Sequence, residues 1–348
     1  MRTVTLHAIC LVALTALSGC AAGYKMMSHH RVVTKQTKQG LEPVIVGEGY
    51  IAYREVIERS PNVKSVTRMT DLKGVREPAF FDVSPDGKWL VYQALEREES
   101  TGTRFLNLWR ISTGGGAAVT RLTAGRYLDM EPGFSAEGLS IYFASNRSSR
   151  LPKIWRVSAD GAGGIARLTQ AESEDRWPAA APGGEQVYYT SRPFNAVQWQ
   201  LWRIGVGGNL PTQLREGRGP KISPDGQRVL HSVRDNDTGR FKIWVMNTDG
   251  SNQTQLTSDP DSDDTHPNWS ANGEKIVYAS NIGKDSNGKR NFDIWVMNAD
   301  GSHPTQLTTN GSTDYMPVYG AEGNYIYFVS NRGFHWDIWR MEIVEAAR

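Results

Sequence analysis

The side chains best placed to do chemistry recur in an Asp-x-x-Pro pattern, at Asp129 to Pro132, Asp175 to Pro178, Asp264 to Pro267 and Asp314 to Pro317. The pattern is degenerate at Gly217 to Pro220 and absent before Ser84. An Asp ahead of a strand caps a turn through its own backbone, and a Pro is tolerated where an inner strand begins. Those two residue types therefore read as structural. The residues between them vary, and they are the candidate partner-binding residues: Glu131, Trp177, Arg218, His266 and Met316. One acid, two bases, an aromatic and a methionine suit a protein-contact surface better than a catalytic pocket.

Other chemistries find little support. There is no Gly-x-Ser-x-Gly elbow and no His-Glu-x-x-His metal motif. Of the 7 histidines, only His266 and His335 fall near the candidate surface, so no metal site and no cofactor are expected. The acidic run Asp259, Asp261, Asp263 and Asp264 reads as a solvated loop, with Ca²⁺ held by carboxylate oxygens as the alternative. Gly114 to Gly116 and Gly161 to Gly164 look like phosphate loops, but they open no helix and read as hairpin turns. No catalytic residue is assigned. A net charge of +2 with interspersed signs gives no basic face for nucleic acid.

The first residues carry a targeting signal. Arg2 precedes an apolar run from Val4 to Leu17, which is too short to span a bilayer and reads as an export leader. Leu17-Ser18-Gly19-Cys20 closes that run and resembles the bacterial lipobox, whose cysteine is lipidated and becomes the mature N-terminus. A thiolate is the side-chain nucleophile suited to that step. The 2 cysteines are Cys10, inside the leader, and Cys20, so the mature chain is expected to hold no disulfide and no free thiol. Ala21 fits sorting to the outer membrane, since the resembled rule reserves Asp there for retention at the inner one.

What must position the candidate residues is a repeat. A tight turn followed by an aromatic and β-branched strand recurs six times, at Ser84 to Gly87, Ser135 to Gly138, Ala181 to Gly184, Ser223 to Gly226, Ser270 to Gly273 and Gly320 to Gly323. An aliphatic-Trp pair follows each turn: Leu108-Trp109, Ile154-Trp155, Leu201-Trp202, Ile243-Trp244, Ile294-Trp295 and Ile338-Trp339. These tryptophans read as packing between repeats. A Leu-Thr marker ends most repeats, as at Leu122-Thr123, Leu168-Thr169, Leu256-Thr257 and Leu307-Thr308, with Leu214-Arg215 as a variant. Three turns per period predict four strands, the blade of a propeller. The sixth repeat lacks its end marker, whereas Val66 to Thr70 duplicates Val119 to Thr123. The spacing therefore predicts an all-β, six-bladed propeller whose ring is closed by the strand around residues 64–70, leaving no open edge.

These motifs resemble the TolB-like β-propeller family, over residues 64–344 and in all six repeats. The family's α/β domain before the propeller is not expected here, because residues 21–63 are too short for it. The expected organisation is a leader at 1–19, a lipidated tether and short packing segment at 20–63, and the propeller at 64–348. Within the tether, 21–40 reads as solvated, and 43–58 reads as a strand or helix packed on the propeller.

Connections in a four-stranded meander alternate between two faces. The Ser-Pro-Asp-Gly and Asp-Gly turns share one face, and the long loops that differ in every repeat share the other. Variable loops on a rigid scaffold carry binding. The resemblance implies a non-enzymatic envelope lipoprotein that scaffolds a protein complex of the Tol-Pal kind. It would be anchored to the bilayer through Cys20, facing the periplasm, with its protein partner at the long-loop face and channel mouth. A propeller enzyme or binding protein acting on an oligosaccharide or peptide is the alternative, since the fold hosts both.

Overall fold

The computed structural model describes residues 24–27, 30–37, 40–48, 51–54, 60–72, 79–98, 100–114, 119–283, 290–333 and 335–344. The leader, Cys20, the middle of the 281–291 loop and part of the Gly114 to Gly116 turn lie outside them. The chain divides into two units, 1–57 and 58–348. In the first, Tyr24–Met27 pairs antiparallel with Ile51–Arg54, and His30–Thr37 with Gly40–Glu48. The stretch read from composition as a solvated tether thus contains paired strands.

The second unit is a ring of six four-stranded antiparallel blades. Blades 1 to 6 begin at Phe81, Asp129, Ser173, Arg218, Asp264 and Asp314. Each inner strand lines the channel, and the tight turn that follows it takes a glycine at positive φ, such as Gly87 at 71° and Gly226 at 72°. The fourth strand of blade 6 is Val63–Arg68, antiparallel to Asp337–Ile343 with Trp339 opposite Arg68 and Met341 opposite Val66. The closure expected from the spare N-terminal repeat is the one observed.

Six apolar clusters hold the ring, one at each blade interface. Phe143 and Ile141 of blade 2 meet Val91 and Leu108 of blade 1, and Phe328 of blade 6 meets Val277 and Ile294 of blade 5, all fully buried. Trp109, Trp155, Trp202, Trp295 and Trp339 each join the cluster facing the preceding blade. The Leu-Thr marker also has a physical cause. Thr123, Thr169, Thr257, Thr308 and Thr70 each accept, through Oγ1, the backbone N–H of the aliphatic residue before the tryptophan, at 2.9–3.0 Å. A strand only two residues long, such as Thr120–Arg121, is thereby prolonged by a side chain.

Candidate functional site

Five of the six inner strands carry a bulge at the same place. Pairing skips two residues between Met130 and Gly133, Arg176 and Ala179, Arg218 and Lys221, Thr265 and Asn268, and Tyr315 and Val318. Blade 1 pairs regularly, with Phe81 opposite Tyr92. Each skipped pair is the residue before the proline and the proline itself. The first of these lies in the left-handed region: Glu131 at φ 56°, Trp177 at 49°, Gly219 at 64°, His266 at 52° and Met316 at 51°. A residue before proline is ordinarily extended, and a non-glycine residue at such a φ costs about 1–3 kcal/mol. A bulge re-aims its side chain. Here the strain turns four unlike side chains toward one channel mouth.

This register corrects one expectation. Arg218 does not occupy the ring position of Glu131, Trp177, His266 and Met316; Gly219 does, and Arg218 lies one residue earlier. Gly219 is the residue directly before Pro220, and blade 4 keeps the register of the other bulged blades. His231 explains the missing Asp instead: its ring is fully buried, and a side chain at Gly217 would come within 2.6 Å of it. Blade 4 therefore cannot carry the Asp found at this position in blades 2, 3, 5 and 6. Burial lowers the His231 pKa to about 4, so the ring sits there neutral.

The channel mouth opens into a cavity of about 280 Å³ that brings together Glu131, Trp177, Arg218, His266 and Met316, with Phe80, Lys221 and Tyr315 beside them. Their roles differ. Glu131 is only 4% exposed. Its carboxylate accepts from Arg176 Nη2 at 2.6 Å and from the Trp177 backbone N–H at 2.9 Å. It is a local strut more than a contact residue. Met316 is also buried, in the cluster between blades 6 and 1. Trp177, Arg218 and His266 are half-buried and remain available.

Aromatic contacts organise the mouth. Trp177 meets Trp199 edge-on at 5.3 Å, Arg176 lies 5.2 Å from the Trp177 ring, and Arg192 lies 4.5 Å from the Trp199 ring. His266 meets Tyr315 at 4.5 Å and Phe80 at 6.1 Å. Desolvation, followed by the positive charges of Arg218 and Lys221, pushes the His266 pKa down to about 3. Its imidazole is neutral at physiological pH, and Nδ1 is buried without a hydrogen-bond partner among the described residues. The long loop of blade 3 adds Phe194 and Val197, 85% and 86% exposed. Nothing in the blade signature marked those two; only their apolar character inside a variable loop could have.

The Asp residues of the repeated pattern are consumed structurally. Asp314 accepts from Arg332 at 2.6 Å and Asp129 from Arg147 at 2.5 Å. Asp175 pairs with Lys153 at 3.3 Å and Asp264 with Lys242 at 3.5 Å. The acidic run diverges onto three separate cations, Arg240 at Asp263, Lys242 at Asp264 and Arg290 at Asp261. Among the described residues, no group of three or more His, Cys, Asp or Glu is placed to hold a metal ion. Gly161 to Gly164 lies in the turn between Lys153–Ser158 and Ala166–Arg167, a hairpin as expected.

No protein-family model matches the chain. Among solved structures it is similar to a protein assigned as TolB from Agrobacterium tumefaciens, with a TM-score of 0.56 and 18% identity over 92% of this chain and 99% of the other. TolB from Acinetobacter baumannii gives 0.57 and 15% over 75% of this chain and 65% of the other. An oligogalacturonate lyase from Vibrio parahaemolyticus gives 0.56 and 13% over 94% of this chain and all of the other. At such identities the likeness is one of fold, and the fold is that of the TolB-like six-bladed β-propellers.

Proposed function

We propose that the chain is a non-enzymatic envelope lipoprotein that binds a protein partner through its long-loop face and channel mouth. The observation that carries this reading is the contact of Trp177 with Trp199 and of Trp199 with Arg192, with Arg218 lining the same cavity as Trp177, and with Phe194 and Val197 exposed in the loop that carries Trp199. Interface energy concentrates in such aromatic and Arg anchors. Trp177→Ala or Arg218→Ala is expected to cost about 1–3 kcal/mol of partner binding with little change in melting temperature. Lys88→Ala, on the short-turn face and 76% exposed, is the control. The partner is found by crosslinking from native membranes, and affinities are then measured with purified variants. Unchanged binding by the Trp177 and Arg218 variants, with loss at Lys88, would place the interface on the opposite face.

Similarity to TolB structures supports an envelope setting, and Leu17 to Cys20 supports anchoring in the outer membrane, facing the periplasm. Several acyl chains hold a protein firmly where a single one gives marginal attachment. The wild type should fractionate with membranes, and Cys20→Ser should release it or block processing. Mass spectrometry finding a mature N-terminus other than Cys20, without lipid mass, would refute the anchor.

A second reading is favoured by one observation, the unpartnered His266 ring nitrogen in a cavity of a fold shared with an oligogalacturonate lyase. In that reading the chain turns over an oligosaccharide or peptide. The signature would be the absence of a protein partner together with turnover abolished by His266→Ala.

A further inference from the structure

We propose that the channel cavity is a binding site for a small ring-bearing carboxylate, held by Arg218 and Lys221 between aromatic walls. Both cations come from blade 4, the blade that departs from the repeated pattern. The channel position of Lys221 is filled in the other blades by Asp82, Gly133, Ala179, Asn268 and Val318. A local break in an otherwise consistent repeat is where a functional demand shows.

Neither cation is consumed. Among the described residues, the Arg218 guanidinium and the Lys221 ammonium form no ion pair and no side-chain hydrogen bond. The guanidinium carbon lies 3.4 Å from the Phe241 ring centroid, a stack that leaves the N–H fork at its edge free. Both side chains line the same cavity as His266. The buried His266 Nδ1 lacks a partner there and offers a third polar contact.

The charge balance selects an anion. Glu131 is neutralised by Arg176 at 2.6 Å. Burial raises the Asp82 pKa against the pull of Lys221, so Asp82 offsets at most one of the two cations. Asp263, whose charge also reaches Arg218, is paired with Arg240 at 2.7 Å. At least one positive charge is left over, which suits an anion. Planar bidentate recognition of a carboxylate is what an Arg fork does well. Phe80, Trp177 and Tyr315 line the same cavity and provide faces for a ring. A volume near 280 Å³ admits one such ring and no folded segment. This site shares Arg218 and Trp177 with the docking face but requires no protein partner.

Calorimetric titration of the whole chain tests it, using benzoate and D-galacturonate against their neutral counterparts, benzyl alcohol and D-galactose. At least one acid should bind about tenfold or more tightly than its neutral counterpart, and which one does so separates an aromatic from a uronic acid. Arg218→Gln and Lys221→Met should each weaken that acid by roughly tenfold to a hundredfold, while Lys88→Ala leaves it unchanged. Should Arg218→Gln fail to fold, Lys221→Met decides alone. Neither acid exceeding its neutral counterpart, or folded variants keeping wild-type affinity, would overturn the proposal. A failed partner search would leave these titrations unaffected.

Discussion

Deleting residues 64–70 is expected to convert a folded propeller into an aggregating chain or, at the least, to lower its melting temperature sharply. The segment does three jobs at once. It supplies the backbone ladder to Asp337–Ile343, without which that strand becomes a long exposed edge. It also supplies apolar contacts to two interfaces, Val66 to the cluster between blades 5 and 6 and Met69 to the one between blades 6 and 1. Finally, it neutralises Asp337, whose side chain is fully buried. The Arg68 guanidinium donates to that carboxylate at 2.6 Å, and the Thr70 hydroxyl at 3.0 Å. Stripping the partners from a buried charge costs about 3–5 kcal/mol, a large share of the roughly 5–15 kcal/mol that stabilises an ordinary domain. The lost apolar contacts add to that. Size-exclusion chromatography and thermal melting provide the measurement. A deletion variant that stays monomeric with unchanged melting would show that the ring does not depend on this strand.

That closure was legible because it is a matter of counting: five complete repeats, one truncated at its end, and one spare end marker near the N-terminus. The blade interfaces were legible for a similar reason, since the aliphatic-Trp pair falls on the same strand position each time. The ring at the channel mouth was only partly legible. Arg218 was read as the equivalent of Glu131 because both precede the proline region. Blade 4 keeps the register of the other bulged blades, so Gly219, directly before Pro220, takes that place; what the pattern could not show is that His231, in another strand, fills the space of the missing Asp. Nor could the pattern show which cation meets each Asp. Arg147 and Arg332 come from the same blade as Asp129 and Asp314, whereas Lys153 and Lys242 come from the blade before Asp175 and Asp264. Two local solutions to one electrostatic demand leave no single spacing to read. Similarly, the fate of Glu131 depends on Arg176 of the next blade, 45 residues away.

The second large effect separates the repeated Asp residues from the variable ones beside them. Asp314→Ala is expected to destabilise the fold by about 3–5 kcal/mol. Arg332 and Asp314 are 1% and 0% exposed and lie 2.6 Å apart, so removing the carboxylate takes away the acid this buried cation pairs with. Ser330 Oγ accepts from the Arg332 Nε at 3.0 Å but carries no charge to balance it. Arg332→Met should cost a similar amount by leaving Asp314 without its cation. The double variant should lose much less than the sum of the two, because a buried pair replaced whole by apolar groups is often near neutral. Blade 4 shows that the ring tolerates one such site without the pair, provided that another group fills the volume, as the buried His231 ring does. Arg218→Ala should behave in the opposite way. Its guanidinium has no ion pair among the described residues, so melting should barely move while binding at the channel mouth falls. Denaturant unfolding of the four variants, read beside the binding titrations, decides the matter. An Asp314→Ala protein as stable as wild type would mean that the repeated carboxylates do not hold the blades and are free to meet a ligand.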